Sequence, residues 1–173
     1  ELLKICTSMN KDIYLNGVRK LAKKYKKWIL IGSLIIKIAK NKLVNVHSLI
    51  GLAVAPDFKK ELIWDNLSDQ KKEEVIINNK FSLSEDLEIS YQFIKDGENN
   101  LVLKSSIEFE GSVYLYHGMM DTEVPYKLSE KVLKKITKSN DVKLILEKHG
   151  EHRLSKYDEI ETIKLLLSKI SKI

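Results

Sequence analysis

The chain contains a single cysteine, Cys6, in 173 residues. One cysteine excludes an intramolecular disulfide and fits a reducing compartment, so the expected location is cytoplasmic. Proline is nearly as scarce, at two residues, and glycine stops at seven, which leaves little material for long flexible linkers. No run of about 18 apolar residues occurs, so no integral membrane segment is expected. The amino-terminal apolar residues are interrupted by Lys4, Lys11 and Asp12, which does not fit a secretory leader. Arginine is limited to Arg19 and Arg153, although Lys and Arg together number 30 against 24 acids, a net charge of +6. Readers of nucleic acid rely on arginine for bidentate contacts, so the lysine excess reads as solvated surface, and no nucleic-acid partner is expected.

What remains is the composition of an ordinary globular domain, with 43% hydrophobic and 31% charged residues. The length suits one domain over 1–173. Residues 16–27 show apolar positions at spacings of three and four, among them Val18, Leu21, Ala22 and Tyr25, with lysines between. That is an amphipathic helix, and Lys20 to Lys27 is its polar face; a membrane-surface or nucleic-acid patch is the alternative. Residues 28–31 read as a short apolar strand, followed by Gly32-Ser33 and a helix over 34–40. Residues 46–55 read as a long buried strand stopped by Pro56-Asp57. Residues 57–110 read as a mostly helical insertion that serves as a lid, with Ser68 as an N-cap, 81–87 as an acidic loop and 89–95 as a short helix. Then come a strand at 113–116, a helix at 125–137, a strand at 142–147 and a helix at 156–170. Strands alternating with helices predict an α/β fold with a mostly parallel sheet and right-handed crossovers.

The stretch from Gly111 to Tyr126 organises the chemistry. It places an acid, Asp121, in the loop after a strand, and in open α/β sheets ligands and reactive groups collect at the carboxyl ends of strands. His117-Gly118 precedes the acid, and Val124-Pro125 follows it. After the next strand comes Gly150-Glu151-His152-Arg153. An acid after one strand and a histidine after the next form half of a catalytic triad, with His152 as general base and Asp121 as its orienter. His149 and Glu151 suggest a metal site as a competing reading, but no second ligand group has matching spacing. No cofactor is expected. The order Ser…Asp…His makes Ser33 the position at which to look for a nucleophile. The G-x-S-x-G turn needs glycines on both sides of its serine, whereas Ile31 and Ile35 flank Ser33. Ser33 therefore stands as a nucleophile candidate or as a helix cap.

Three blocks carry a family resemblance: LIGLAVAPDF at 49–58 with Trp64 after it, YHGMMDTEVP at 116–125, and GEHRLS at 150–155. In order and content they resemble the ABHD10-like serine esterases and acyl-protein thioesterases of the α/β-hydrolase family and their bacterial relatives. The resemblance implies a partial α/β-hydrolase fold, a small acyl ester or thioester as substrate, and Asp121, His152 and Ser33 as the triad. It also marks two departures. The family's nucleophile elbow carries a second serine and two glycines that are missing after Gly32-Ser33, and its upstream oxyanion-hole motif has no counterpart. The chain, opening on Glu1, is thus expected to be an incomplete domain with a degraded elbow, and a sheet edge left uncovered would favour self-association. Two functions follow: a serine hydrolase, or a non-catalytic remnant or binding module built on the same fold.

Overall fold

The computed structural model describes residues 36, 37, 40, 41, 46–84 and 87–170. The helix expected at 16–27, the strand expected at 28–31 and Ser33 lie outside the described residues.

Among the described residues the sheet has three parallel strands in the order β1-β4-β5: β1 (Ser48–Leu52), β4 (Ser112–Gly118) and β5 (Val142–Glu147). β4 is central, and six of its seven residues are buried. Its side chains alternate between two cores, as the period of two along a strand requires. Val113 and Leu115 pack with Leu49 of β1, Ile107, Phe109 and Val132. Tyr114 and Tyr116 face the other way, against Leu154, Ile163, Leu166 and Leu167. Val132 belongs to helix α3 (Lys127–Lys135), and the leucines at 166 and 167 to α4 (Tyr157–Ile170). α3 packs on one face and α4 on the other, and both faces are covered as a near-continuously apolar parallel strand demands.

β1 is shorter than the apolar run 46–55 suggests. Ala53 takes a left-handed backbone (φ 45°) and its N–H turns to donate to the Tyr116 carbonyl at 3.0 Å, which ends the strand. Gly51 sits where a side chain has no room: a Cβ there would lie 2.7 Å from Val54 Cγ1 and 2.8 Å from Leu115 Cδ2.

Between β1 and β4 the chain makes a long excursion. A π-helical turn, Lys59–Ile63, runs into a 3-10 turn, Trp64–Asn66. Helix α1 (Asp69–Asn78) follows, with the Ser68 side chain accepting from Lys71 N–H, as the N-cap reading expects. The next stretch departs from expectation. Residues 80–84 and 87–90 pair as antiparallel strands, β2 (Lys80–Ser84) and β3 (Leu87–Ser90), in place of a loop followed directly by a helix. The acids at 85 and 86 disguise the pattern: the strand pairing sets Phe81 opposite Ile89, and Phe81 is buried. Ser90 then caps helix α2 (Tyr91–Glu98) by accepting from Phe93 N–H, so that helix starts later than the apolar pattern suggests.

The excursion has a small core of its own, with Ile63, Val75, Phe81 and Ile94 at its centre and Trp64 stacked near Tyr91 at 5.5 Å. Its two ends are tied together by Asp57. The Asp57 carboxylate, buried, accepts from Val102 N–H at 2.7 Å and from Leu103 N–H at 2.8 Å. Asp57 and Val102 are 45 positions apart, so this one carboxylate closes the excursion at its base. Leu62 packs with Ala55, Val124 and Leu128, and Lys131 pairs with Glu61 at 2.6 Å. Those contacts seat the excursion against the loop and helix that follow β4.

Candidate active site

Both loops of interest leave the carboxyl ends of neighbouring strands. Residues 119–126 connect β4 to α3, and residues 148–156 connect β5 to α4. The register pairs Gly118 with Glu147, so the loops start side by side. They are then pressed together. Met119 N–H donates to the Glu147 carbonyl (2.8 Å) and Met120 N–H to the Gly150 carbonyl (2.9 Å). This closeness requires glycine twice. A Cβ on Gly118 would lie 2.2 Å from Gly150 O, and a Cβ on Gly150 would lie 2.9 Å from Gly118 Cα. Glu147 completes the junction, because Tyr116 Oη donates to its Oε2 at 3.2 Å.

The clamp brings the acid to the histidine. Asp121 Oδ2 lies 2.8 Å from His152 Nδ1. The carboxylate oxygen can only accept, so Nδ1 carries a proton, and in the neutral imidazole Nε2 holds the lone pair on the outward side. The Asp121 side chain has no exposed surface, whereas that of His152 is 34% exposed. On the Nε2 side, Glu123 Oε2 lies 3.8 Å away. The His152 loop is held in turn by a tight turn, with Leu154 N–H donating to the Glu151 carbonyl and Leu154 itself buried at a left-handed φ of 45°. Glu159 reaches back to accept from Lys156 N–H at 2.7 Å, the reciprocal half of a capping box that sets the start of α4.

The other oxygen, Asp121 Oδ1, accepts from Glu123 N–H (2.9 Å) and Val124 N–H (2.8 Å). Burial is the largest single influence on this carboxyl and would raise its pKa. The Val124 N–H, the His152 imidazole and the Glu123 N–H together outweigh burial and hold the group below the ordinary carboxylate range. Asp121 is thus an ionised group inside the fold, aimed at the inner nitrogen of a half-exposed imidazole.

The structure brings Asp121 and His152 into contact; Ser33 lies outside the described residues. Two further polar residues at this point are His117, four residues before Asp121, and Ser129 on α3. His117 stands out in the sequence only as the histidine of His117-Gly118, and Ser129 gives no signal beyond lying on a helix face. Among the described residues no group of three or more His, Cys, Asp or Glu side chains is arranged to hold a metal ion.

No family model matches the chain. Curated proteins do. The human protein named palmitoyl-protein thioesterase ABHD10, mitochondrial, is 33% identical over 162 residues, covering 84% of this chain and 52% of the relative. The Mus musculus protein of the same name is 31% identical over 159 residues, covering 84% and 53%. Among solved structures, alpha/beta hydrolase domain-containing protein 10 from mouse superposes with a TM-score of 0.79 at 24% identity, over 92% of this chain and 84% of that one. The chain belongs to the α/β-hydrolase family and is similar to ABHD10. It spans about half the length of the curated relatives it matches. Est1E from Butyrivibrio proteoclasticus shares the α/β-hydrolase fold at a TM-score of 0.63 and 15% identity, over 88% of this chain and 65% of that one. In α/β-hydrolases the acid precedes the histidine along the chain, and Asp121 precedes His152 here.

Proposed function

We propose that this chain carries the acid–base half of a serine-hydrolase site, acting on a small acyl ester or thioester. The observation that carries the reading is the 2.8 Å contact from His152 Nδ1 to a buried, ionised Asp121, with Nε2 left outward. In this scheme Ser33 is the nucleophile. His152 Nε2 takes the hydroxyl proton as Oγ attacks the acyl carbonyl, then returns it to the departing alkoxide or thiolate. Water enters by the same route and releases the acid. Asp121 stays ionised throughout, fixes the tautomer and stabilises the imidazolium. Two features favour an acyl substrate: Met119 and Met120, exposed on the acid loop, and the excursion over 57–110, which we read as a lid-like insertion in a single domain. The relatives' name, palmitoyl-protein thioesterase, adds a long-chain acyl thioester to the candidates.

The test is labelling by a fluorophosphonate probe, with Ser33→Ala and His152→Ala as controls. Labelling of Ser33 that both variants abolish is the expected outcome. Absence of labelling where an ABHD10 protein labels under the same conditions would sink the reading.

One observation favours a second reading, a non-catalytic remnant or binding module. In the sequence Ser33 is followed by Leu34-Ile35-Ile36, where a working elbow has glycine, and neither leucine nor β-branched isoleucine suits so tight a turn. An oxyanion donor misplaced by such a turn costs about 2.7–4 kcal/mol of transition-state stabilisation. Among the described residues no helix is long and apolar enough to cross a membrane. The single Cys6 supports a reducing compartment such as the cytoplasm, whereas the relatives' names place those proteins in the mitochondrion.

A further inference from the structure

Asp121 Oδ2 has two imidazole partners. Besides His152, it lies 3.1 Å from His117 Nε2. His117 is on β4, four residues before the acid, and none of its surface is exposed. Its tautomer follows from its neighbours. Nε2 faces two oxygens that can only accept, Asp121 Oδ2 and the Val124 carbonyl at 2.9 Å, so Nε2 carries the proton. Nδ1 lies 2.7 Å from Ser129 Oγ, and Ser129 is also fully buried. In the neutral imidazole Nδ1 is then unprotonated, and the Ser129 hydroxyl donates to it. A line of donors therefore runs from α3 through the strand to the acid: Ser129 O–H to His117, His117 N–H to Asp121.

We propose that His117 is a positioning residue for this site: its Nε2–H, delivered to Asp121 Oδ2 from inside the fold and fixed in tautomer by Ser129, sets the carboxylate orientation that His152 meets. This rests on the reading of Asp121 and His152 given above. A carboxylate offers about four lone-pair sites. Here two backbone N–H groups take Oδ1 and two imidazoles take Oδ2, so the plane of the carboxylate cannot turn without breaking a bond on each side. Without His117, Oδ2 would be held by His152 alone, a partially exposed side chain on a separate loop. The buried histidine makes the orientation of Asp121 a property of the core. Being fully enclosed, His117 has no route to a substrate and cannot itself act as the base.

The charged or titratable groups around the pair come from each packed element: His117 from β4, Glu123 from the acid loop, and His152 from the loop after β5. The decisive experiment compares His117→Gln with His117→Asn. Glutamine can carry its amide nitrogen to the Nε2 position and still donate to Asp121. Asparagine reaches only the Nδ1 position, near Ser129. The readout is NMR titration of the Asp121 carboxyl carbon and the His152 ring in the 173-residue chain. His117→Asn should raise the Asp121 midpoint, because a donor to the ionised carboxylate is lost. His117→Gln should leave it near the parent. If both folded variants titrate alike, His117 is only a satisfied core residue and the proposal is overturned. Should either variant fail to fold, Ser129→Ala keeps the imidazole and removes the donor that fixes its tautomer. That variant should move the Asp121 midpoint upward by less, and an unchanged midpoint there would count against the proposal. These titrations are blind to turnover, so a chain that hydrolyses no ester would weaken the proposed function without deciding this one.

Discussion

Gly118 and Gly150 meet backbone against backbone, so closely that a Cβ on Gly118 would lie 2.2 Å from the Gly150 carbonyl oxygen. That junction joins the acid loop to the histidine loop, and the distance between Asp121 and His152 depends on it. A methyl group at Gly118 meets rigid backbone, not a side chain that can rotate away. Gly118→Ala should therefore cost about 1–3 kcal/mol, the usual range for overpacking, and should separate the loops. Urea unfolding measures the first effect. Loss of the downfield His152 Nδ1–H resonance reports the second. Gly150→Ala meets Glu147 Cβ at 2.8 Å and Gly118 Cα at 2.9 Å, so it is expected to act in the same direction.

Asp57 closes the excursion at its base through two buried backbone bonds. Asp57→Ala leaves the N–H groups of Val102 and Leu103 buried without an acceptor. The expected loss is about 2–4 kcal/mol, because each stranded donor keeps its desolvation penalty. Amide exchange checks the location: the amides at 102 and 103 should lose protection while those of β4 and β5 keep theirs. Uniform loss across the sheet would mean that the excursion and the sheet unfold as one unit.

The acid carries a pH dependence whose sign follows from its environment. The Asp121 carboxyl is held below its ordinary range in the fold. Its ionised form therefore adds stability that is present above the unfolded value, about 3.9, and is lost as pH falls through the lower folded value. Asp121→Asn removes that increment. The variant should be less stable at neutral pH, and its stability should fall less steeply than the parent's as pH drops below about 4. Chemical denaturation across that range distinguishes the two curves.

If the proposed hydrolase function holds, Asp121→Asn should also lower kcat by about 10⁴, because asparagine can donate to Nδ1 and so favour the wrong tautomer of the base. KM should change little, since Asp121 is buried and touches no substrate. A kcat within a few fold of the parent would mean that His152 keeps its tautomer by other means.

Much of the frame could be read without coordinates. The apolar runs at 113–116 and 142–147 correspond to β4 and β5, and the stripe from Ile160 to Ile170 to α4. Asp121 and His152 could be picked out because each follows a strand end. All of these are local signals: burial on one or two faces imprints a period on consecutive residues. The pairing of 80–84 with 87–90 was not legible, because the acidic composition of the stretch hides an alternation that Phe81 and Ile89 reveal once they face each other.

The sequence by itself therefore determined the alternation of strands and helices, the α/β class and the order of acid and histidine along the chain. Tertiary structure alone decided how those residues act on one another. The bond between His152 and Asp121 joins residues 31 apart, that between Asp57 and Val102 residues 45 apart, and the Gly118–Gly150 contact needs two strands in one register. No local pattern encodes such pairings, because a side chain's period records only which face is buried and not what is packed against it.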